Sequence, residues 1–172
     1  FPFLGLTVSG GHTQLVQVNG AASFNVLGET KDDAAGEAFD KTGKMLGLPY
    51  PAGPIMDKYA QKGIAKFRFG KPSVEGLHFS FSGLKTSVLY FLREQQDIDP
   101  NFIQKNLFDL CASIQKSIVD ILLEKVAQAM AETGLNQLVL GGGVSANSGL
   151  RNALEITNSQ VFLPPLPYTT DN

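Results

Sequence analysis

Apolar and polar positions alternate with period two at the start of the chain and shift to helical spacing further on. Leu4–Val8 and Thr13–Val18 read as two strands of a hairpin around Ser9-Gly10-Gly11-His12. Phe24–Glu29 supplies a third strand. Thr30, with Asp33 three residues on, has the capping-box pattern and predicts a helix to about Leu46, ended by Gly47. Ala35, Ala38, Phe39, Thr42, Met45 and Leu46 form its inner face, and Asp33, Glu37, Asp40 and Lys44 share a second face. Glu37–Lys41 and Asp40–Lys44 fit helix-surface ion pairs, so a solvated face is the default reading of Asp40.

Tyr50-Pro51-Ala52-Gly53-Pro54 is a rigid loop, with Pro54 opening a short helix through Ala60. Residues 62–77 mix Lys62, Lys66, Arg68 and Lys71 with Phe67 and Phe69. That suits either contact with a nucleic-acid backbone or a solvated loop pinned by two buried rings. His78–Phe81 alternates as a strand, and Ser82 is placed to cap a helix ending near Arg93. Asp99 as N-cap and Pro100 at the first position open the main helix. Its stripe from Ile103 through Leu110, Ile114, Ile118 and Leu122 to Met130 runs to Gly134, with one interruption expected at Asn106–Asp109. Leu138-Val139-Leu140 is a short strand leading into Gly141-Gly142-Gly143, then a helix over Gly149–Ile156 and a strand over Gln160–Leu163.

The triple glycine gives the chain its first candidate chemistry. A strand that halts at a glycine turn and restarts as a helix presents free N–H groups and a positive dipole end, which suits an anion. A plain tight connection explains the same residues. The Ser9-Gly10-Gly11 turn could likewise cradle a phosphate, or be an ordinary hairpin turn.

Length and composition narrow the class. At 172 residues the chain is one domain, 43% hydrophobic, and no apolar run approaches a membrane span. The formal charge of −2 lacks the excess of a protein that grips nucleic acid by itself. The single cysteine, Cys111, excludes an internal disulfide and a cysteine-cluster metal site, and its helical surroundings read as a buried thiol. No charged leader precedes the first strand, so no secretory signal is visible. The chain opens without an initiator Met and stops at Thr169-Thr170-Asp171-Asn172, which is read as a fragment of a longer polypeptide.

Several motifs fail. Gly141–Ala146 fits a loose dinucleotide fingerprint, but the acidic residue expected about 20 positions on is replaced by Leu163-Pro164-Pro165. A P-loop would need glycine at Ala38 and Ser or Thr at Met45, and a nucleophile elbow at Ser145 would need glycine at Asn147. Two distant histidines, His12 and His78, make no metal site.

The stretches TVSGGHTQL, DDAAGEAFDKTGKMLGLPYPAGP, FSFSGLKT, GGGVSAN and TTDN, in this order across the whole chain, resemble the tRNA N6-adenosine threonylcarbamoyltransferases, formerly called O-sialoglycoprotein endopeptidases or glycoproteases. The resemblance implies an actin/Hsp70/sugar-kinase-like (ribonuclease H-like) α/β lobe, a mixed sheet with flanking helices. Residues 1–172 would form most of the second lobe of a two-lobed enzyme. The implied activity is transfer of the threonylcarbamoyl group of threonylcarbamoyl-AMP to N6 of the adenosine 3′ of the anticodon, in tRNAs reading ANN codons. It also implies nucleotide contacts at Thr7, Val8, Ser9, Gly10 and Gly11, at Asp40 on the ribose, at Gly53 and at Asn147, with threonylcarbamoyl-AMP or ATP as the nucleotide. Asp171 matches the family's metal aspartate, for Fe2+, with Zn2+ or Mg2+ as alternatives. The family's His-x-x-x-His pair would lie upstream of Phe1, so the isolated fragment is expected to be inactive. Ala52 stands where the family usually has the first glycine of its Pro-Gly-Gly loop. The implied partners are tRNA, a paralogous non-catalytic subunit and a P-loop ATPase subunit, with a homodimer as an alternative and no membrane. The implied location is the cytoplasm, or the mitochondrial matrix for a eukaryotic source. Another enzyme of the actin-like superfamily (a sugar kinase or ATPase) and a non-catalytic scaffold paralogue are the competing readings.

Overall fold

The structure, a computed structural model, describes residues 1–157 and 159–169. Asp171, the expected metal ligand, lies outside the described residues. Five strands form one sheet in the order β3 (Ser23–Glu29), β2 (Thr13–Gly20), β1 (Phe3–Val8), β4 (Gln137–Gly141) and β5 (Gln160–Phe162). The first three strands meander antiparallel, whereas β4 and β5 run parallel to β1. A parallel neighbour needs a long crossover. Four helices provide it between β3 and β4: α1 (Ala35–Met45), α2 (Ala52–Ala60), α3 (Ser82–Ile98) and α4 (Phe102–Thr133). A fifth, α5 (Ser148–Glu155), joins β4 to β5.

The alternation in the strands sorts the two faces of the sheet. Leu4, Leu6 and Val8 of β1, Leu15 of β2, and Leu138 and Leu140 of β4 are buried in one core with the inner faces of α1, α3 and α4. The opposite face carries Gly5, Val16 and Val18, with Phe24 and Val26 paired beside them and half exposed or more. In α4, Leu110, Ile114, Ile118 and Leu122 are fully buried. The interruption expected in that helix falls at Asn106, which is non-helical at φ −121° and ψ 16°.

Several boundaries differ from the sequence expectation, and at the starts of α1, α2 and α3 a distant group makes the cap. The first helix begins at Ala35 rather than Thr30. Thr30 N–H still pairs with the Thr13 carbonyl, and the Thr30 hydroxyl donates to the Asp33 carbonyl at 2.6 Å, closing a turn. The first N–H groups of α1 go to the hairpin: Ala35 to Thr13 Oγ1 at 2.8 Å, Gly36 to the Ser9 carbonyl at 3.0 Å. In α2, the helix starts at Ala52, whose N–H donates to Asp40 Oδ1 at 2.8 Å, and Pro54 sits inside the first turn, where a missing N–H leaves no gap.

Residues 78–81 form only one bridge, Phe79 to Thr30, because Phe79 and Phe81 are driven fully into the core. Ser82 does not cap α3. Asp32 does, accepting from Phe81 N–H at 2.8 Å and from the Ser82 hydroxyl at 2.7 Å. Burial works against ionising Asp32, but hydrogen bonds from Ser80, Phe81 and Ser82 outweigh it and hold its carboxyl below the ordinary value of 3.8. Asp99 closes α3 instead of opening α4, which begins after Asn101.

Phe67 and Phe69 pack internally, as the second reading of their loop expects. Phe67 lies 5.3 Å from Phe91 and 5.7 Å from Phe102, and Phe69 lies 5.4 Å from Phe91.

Candidate functional site

Four chain segments, far apart in sequence, meet at one end of the sheet around a cleft of about 430 Å³. The β1–β2 turn contributes Gly10, and α1 contributes Gly36, Phe39 and Asp40. The next loop and α2 give Tyr50, Pro51, Gly53, Pro54 and Asp57. The turn after β4 gives Gly143, Val144, Ala146 and Asn147.

Glycine is required where these segments touch. Gly142 has φ 88°, and a Cβ there would lie 2.3 Å from the Val8 carbonyl oxygen, so the triple-glycine turn is pressed against the end of β1. A Cβ on Gly36 would stand 2.7 Å from the Ser9 carbonyl, so α1 begins directly against the hairpin turn.

Of the nucleotide residues expected from sequence, Gly10, Asp40, Gly53 and Asn147 line the cleft. Thr7, Val8, Ser9 and Gly11 do not. Thr7 pairs with Gln14 and Gly141 in the sheet, and Val8 is fully buried. The Ser9 hydroxyl oxygen accepts from Gly11 N–H at 3.3 Å and His12 N–H at 2.9 Å, while Ser9 N–H donates to the His12 carbonyl. Within this turn the Gly10 N–H alone has no protein partner among the described residues.

Asp40 is not on a merely solvated face. Its Oδ1 holds the first N–H of α2, its Oδ2 has no partner among the described residues, and the expected Asp40–Lys44 ion pair is not formed there. The Glu37–Lys41 pair is present at 2.7 Å, and Lys41 also reaches Asp33 at 2.6 Å.

The N-terminus of α5, the anion site suggested by the glycine turn, is filled from inside the chain. Asp57 Oδ2 accepts from Ser148 N–H at 3.0 Å, and Asp57 Oδ1 accepts from the Ser148 hydroxyl at 2.6 Å. Asn147 caps the same helix: its Oδ1 accepts from Leu150 N–H at 2.9 Å, and its Nδ2 donates to Gln115 Oε1 at 2.7 Å. Arg151 braces the turn through the Ser145 carbonyl, at 2.6 Å. Ser145 itself is fully buried, its hydroxyl without a partner among the described residues, and offers no accessible nucleophile.

The cleft thus holds two carboxylates and no lysine or arginine in its lining, so a phosphate entering it would be met by backbone N–H groups. Among the described residues no group of three or more His, Cys, Asp or Glu side chains could hold a metal ion. Also among them, no helix is long and apolar enough to cross a membrane. Asp57, Gly36 and Tyr50 were not singled out from sequence. A helical step does connect them to residues that were: Asp57 lies one turn beyond Gly53, and Gly36 one turn before Asp40.

A mixed sheet in this order, with a cleft at the turns that end β1 and β4, defines an actin/Hsp70/sugar-kinase-like α/β protein. Solved structures agree on the fold. Component A of the Acidaminococcus fermentans (R)-2-hydroxyglutaryl-CoA dehydratase superposes with a TM-score of 0.57 at 17% identity, over 96% of this chain and 56% of that one. Full-length HypF in its phosphate- and nucleotide-bound form gives 0.64 at 12% identity, over 94% of this chain and 30% of that one. The family model for TsaD, tRNA N6-adenosine threonylcarbamoyltransferase, matches residues 1–172, and the chain belongs to that family. Curated proteins of that name from Christiangramia forsetii and Cytophaga hutchinsonii are 56% and 51% identical over the whole chain, covering 52% of their own length. One from Chromobacterium violaceum is 47% identical, with the same coverage. The chain spans about half the length of these relatives.

Proposed function

We propose that this chain is the second-lobe half of an enzyme that transfers the threonylcarbamoyl group of threonylcarbamoyl-AMP to N6 of the adenosine 3′ of the anticodon in tRNAs reading ANN codons. The observation that carries the reading is the convergence of Gly10, Asp40, Gly53 and Asn147 on one cleft from four separate segments. Each has a free function suited to a nucleotide. Gly10 N–H takes a phosphate oxygen, and Asp40 Oδ2 accepts a ribose hydroxyl. Gly53, without a side chain, lets the ligand approach α2 closely. The unspent N–H and lone pair of the Asn147 amide face the nucleoside. Tyr50, 85% exposed at the mouth, offers a ring face on which a base can stack.

These groups hold and orient the donor against the adenosine amine, an entropic contribution that needs no covalent intermediate. Asp171 is the chain's candidate ligand for a divalent metal (Fe2+, or Zn2+ or Mg2+). The described residues supply no donor set for such an ion. With a formal charge of −2, the chain leaves tRNA docking to the remaining half of the enzyme and to partner subunits, a paralogous non-catalytic subunit and a P-loop ATPase, in the cytoplasm.

The test is threonylcarbamoyl transfer to tRNA by a full-length protein carrying this sequence, with its partner subunits. Asp40→Ala is expected to reduce kcat/KM at least tenfold, and residues 1–172 alone are expected to give no product. Equal activity of the Asp40→Ala enzyme, or turnover of ATP with sugars in place of transfer to tRNA, would overturn the assignment.

A further inference from the structure

We infer that Gln115 is a positioning residue for the cleft, setting the orientation of the Asn147 amide; the inference rests on reading the cleft as a nucleoside site. Gln115 lies in the apolar stripe of α4, between the fully buried Ile114 and Ile118, and is itself 7% exposed. A carboxamide in such a place is unfavourable unless hydrogen bonded. Its bond is the one from Asn147 Nδ2 to Gln115 Oε1, at 2.7 Å.

Asn147 is thereby tied at both ends, by Gln115 at Nδ2 and by Leu150 N–H at Oδ1. A flip of the amide would set N–H against N–H and oxygen against oxygen, so the two partners admit one orientation. That orientation decides which functions of this cleft-lining amide stay unpaired: one N–H of Nδ2 and one lone pair of Oδ1. Without Gln115 the Oδ1 cap alone remains, and the donor loses its fixed direction.

Gly149 belongs to the same arrangement. A Cβ at that position would stand 2.5 Å from Gln115 Nε2 and 3.1 Å from its Cδ. The absent side chain is what allows the glutamine to lie across the first turn of α5. Alanine is a better helix former than glycine, so the glycine here works against helix propensity.

The experiment uses the full-length protein with its partner subunits and AMP as the probe, titrated calorimetrically, beside steady-state kinetics. Gln115→Leu keeps the shape and removes the acceptor. It is expected to raise the Kd for AMP and the KM for threonylcarbamoyl-AMP about five- to tenfold, with kcat and the KM for tRNA unchanged. Gln115→Glu restores the acceptor and is expected to stay within about twofold of wild type. Gly149→Ala displaces the glutamine without substituting any residue of α4 and is expected to lose affinity like Gln115→Leu, which decides the matter should Gln115→Leu fail to fold. Wild-type affinity in folded Gln115→Leu, or in Gly149→Ala, overturns the positioning role. Wild-type protein that binds no AMP overturns the nucleoside reading beneath it.

Discussion

At Gly142 two demands coincide: a left-handed φ of 88° and the Val8 carbonyl where a Cβ would stand. Gly142→Ala is therefore expected to lose at least about 2 kcal/mol of stability, measurable as a fall in thermal midpoint. Asp57→Ala removes both acceptors that serve Ser148 at the start of α5 and is expected to cost about 1–3 kcal/mol, again by thermal unfolding. For Tyr50, replacement by Ala is expected to weaken AMP binding severalfold and replacement by Phe to preserve it, since a ring face and not a hydroxyl is invoked; calorimetry decides. At this scale the glycine turns were legible from the residues themselves, whereas Asp40 and Asn147 entered only through the resemblance of their blocks to the family, the spacing of Asp40 alone reading as a solvated face. Asp57 and Gln115 were not legible. Their partners, Ser148 and Asn147, lie 91 and 32 residues away, and no local pattern announces such a bond.

Elements were legible as types and less so at their ends. Short β-leaning runs around a glycine turn gave β1 and β2 with β3 completing the meander, and the apolar stripe gave α4, whose break expected near Asn106–Asp109 falls at Asn106. Helix starts went astray wherever the capping group comes from elsewhere: Thr13 for α1, Asp40 for α2, Asp32 for α3. Two hydrogen-bonded carboxylates, one a helix cap and one bracing a loop, carry a pH dependence. Asp32 and Asp109 both sit below 3.8, the latter through Lys66 and the Ile64 N–H. A carboxyl lowered on folding stabilises the native state above its unfolded value. That contribution is full above 3.8 and is lost as pH falls further. Urea midpoints are expected to drop below pH 4 in the wild type and to drop less in Asp32→Asn, which starts from a lower value at pH 7.

For the molecule as a whole, the mixed sheet and its cleft were foreseen through block order rather than from periodicity, which cannot say that β4 inserts beside β1. That pairing brings the triple-glycine turn to the hairpin turn across some 130 residues of chain. Burial also has a titration consequence at the centre of the molecule. It pushes the Cys111 thiol from 9.0 up to about 12. An acid raised on folding contributes stability in full below 9.0, and loses it as pH climbs toward 12. Cys111→Ala is expected to flatten the decline in urea midpoint between pH 9 and pH 11.

The same thiol is the chain's only sulfhydryl, one helical turn from Gln115 and closed to solvent. A maleimide can reach it only when the middle of α4 opens. Its alkylation rate is therefore a clock for how often the helix behind the cleft comes apart, readable by mass spectrometry without a ligand.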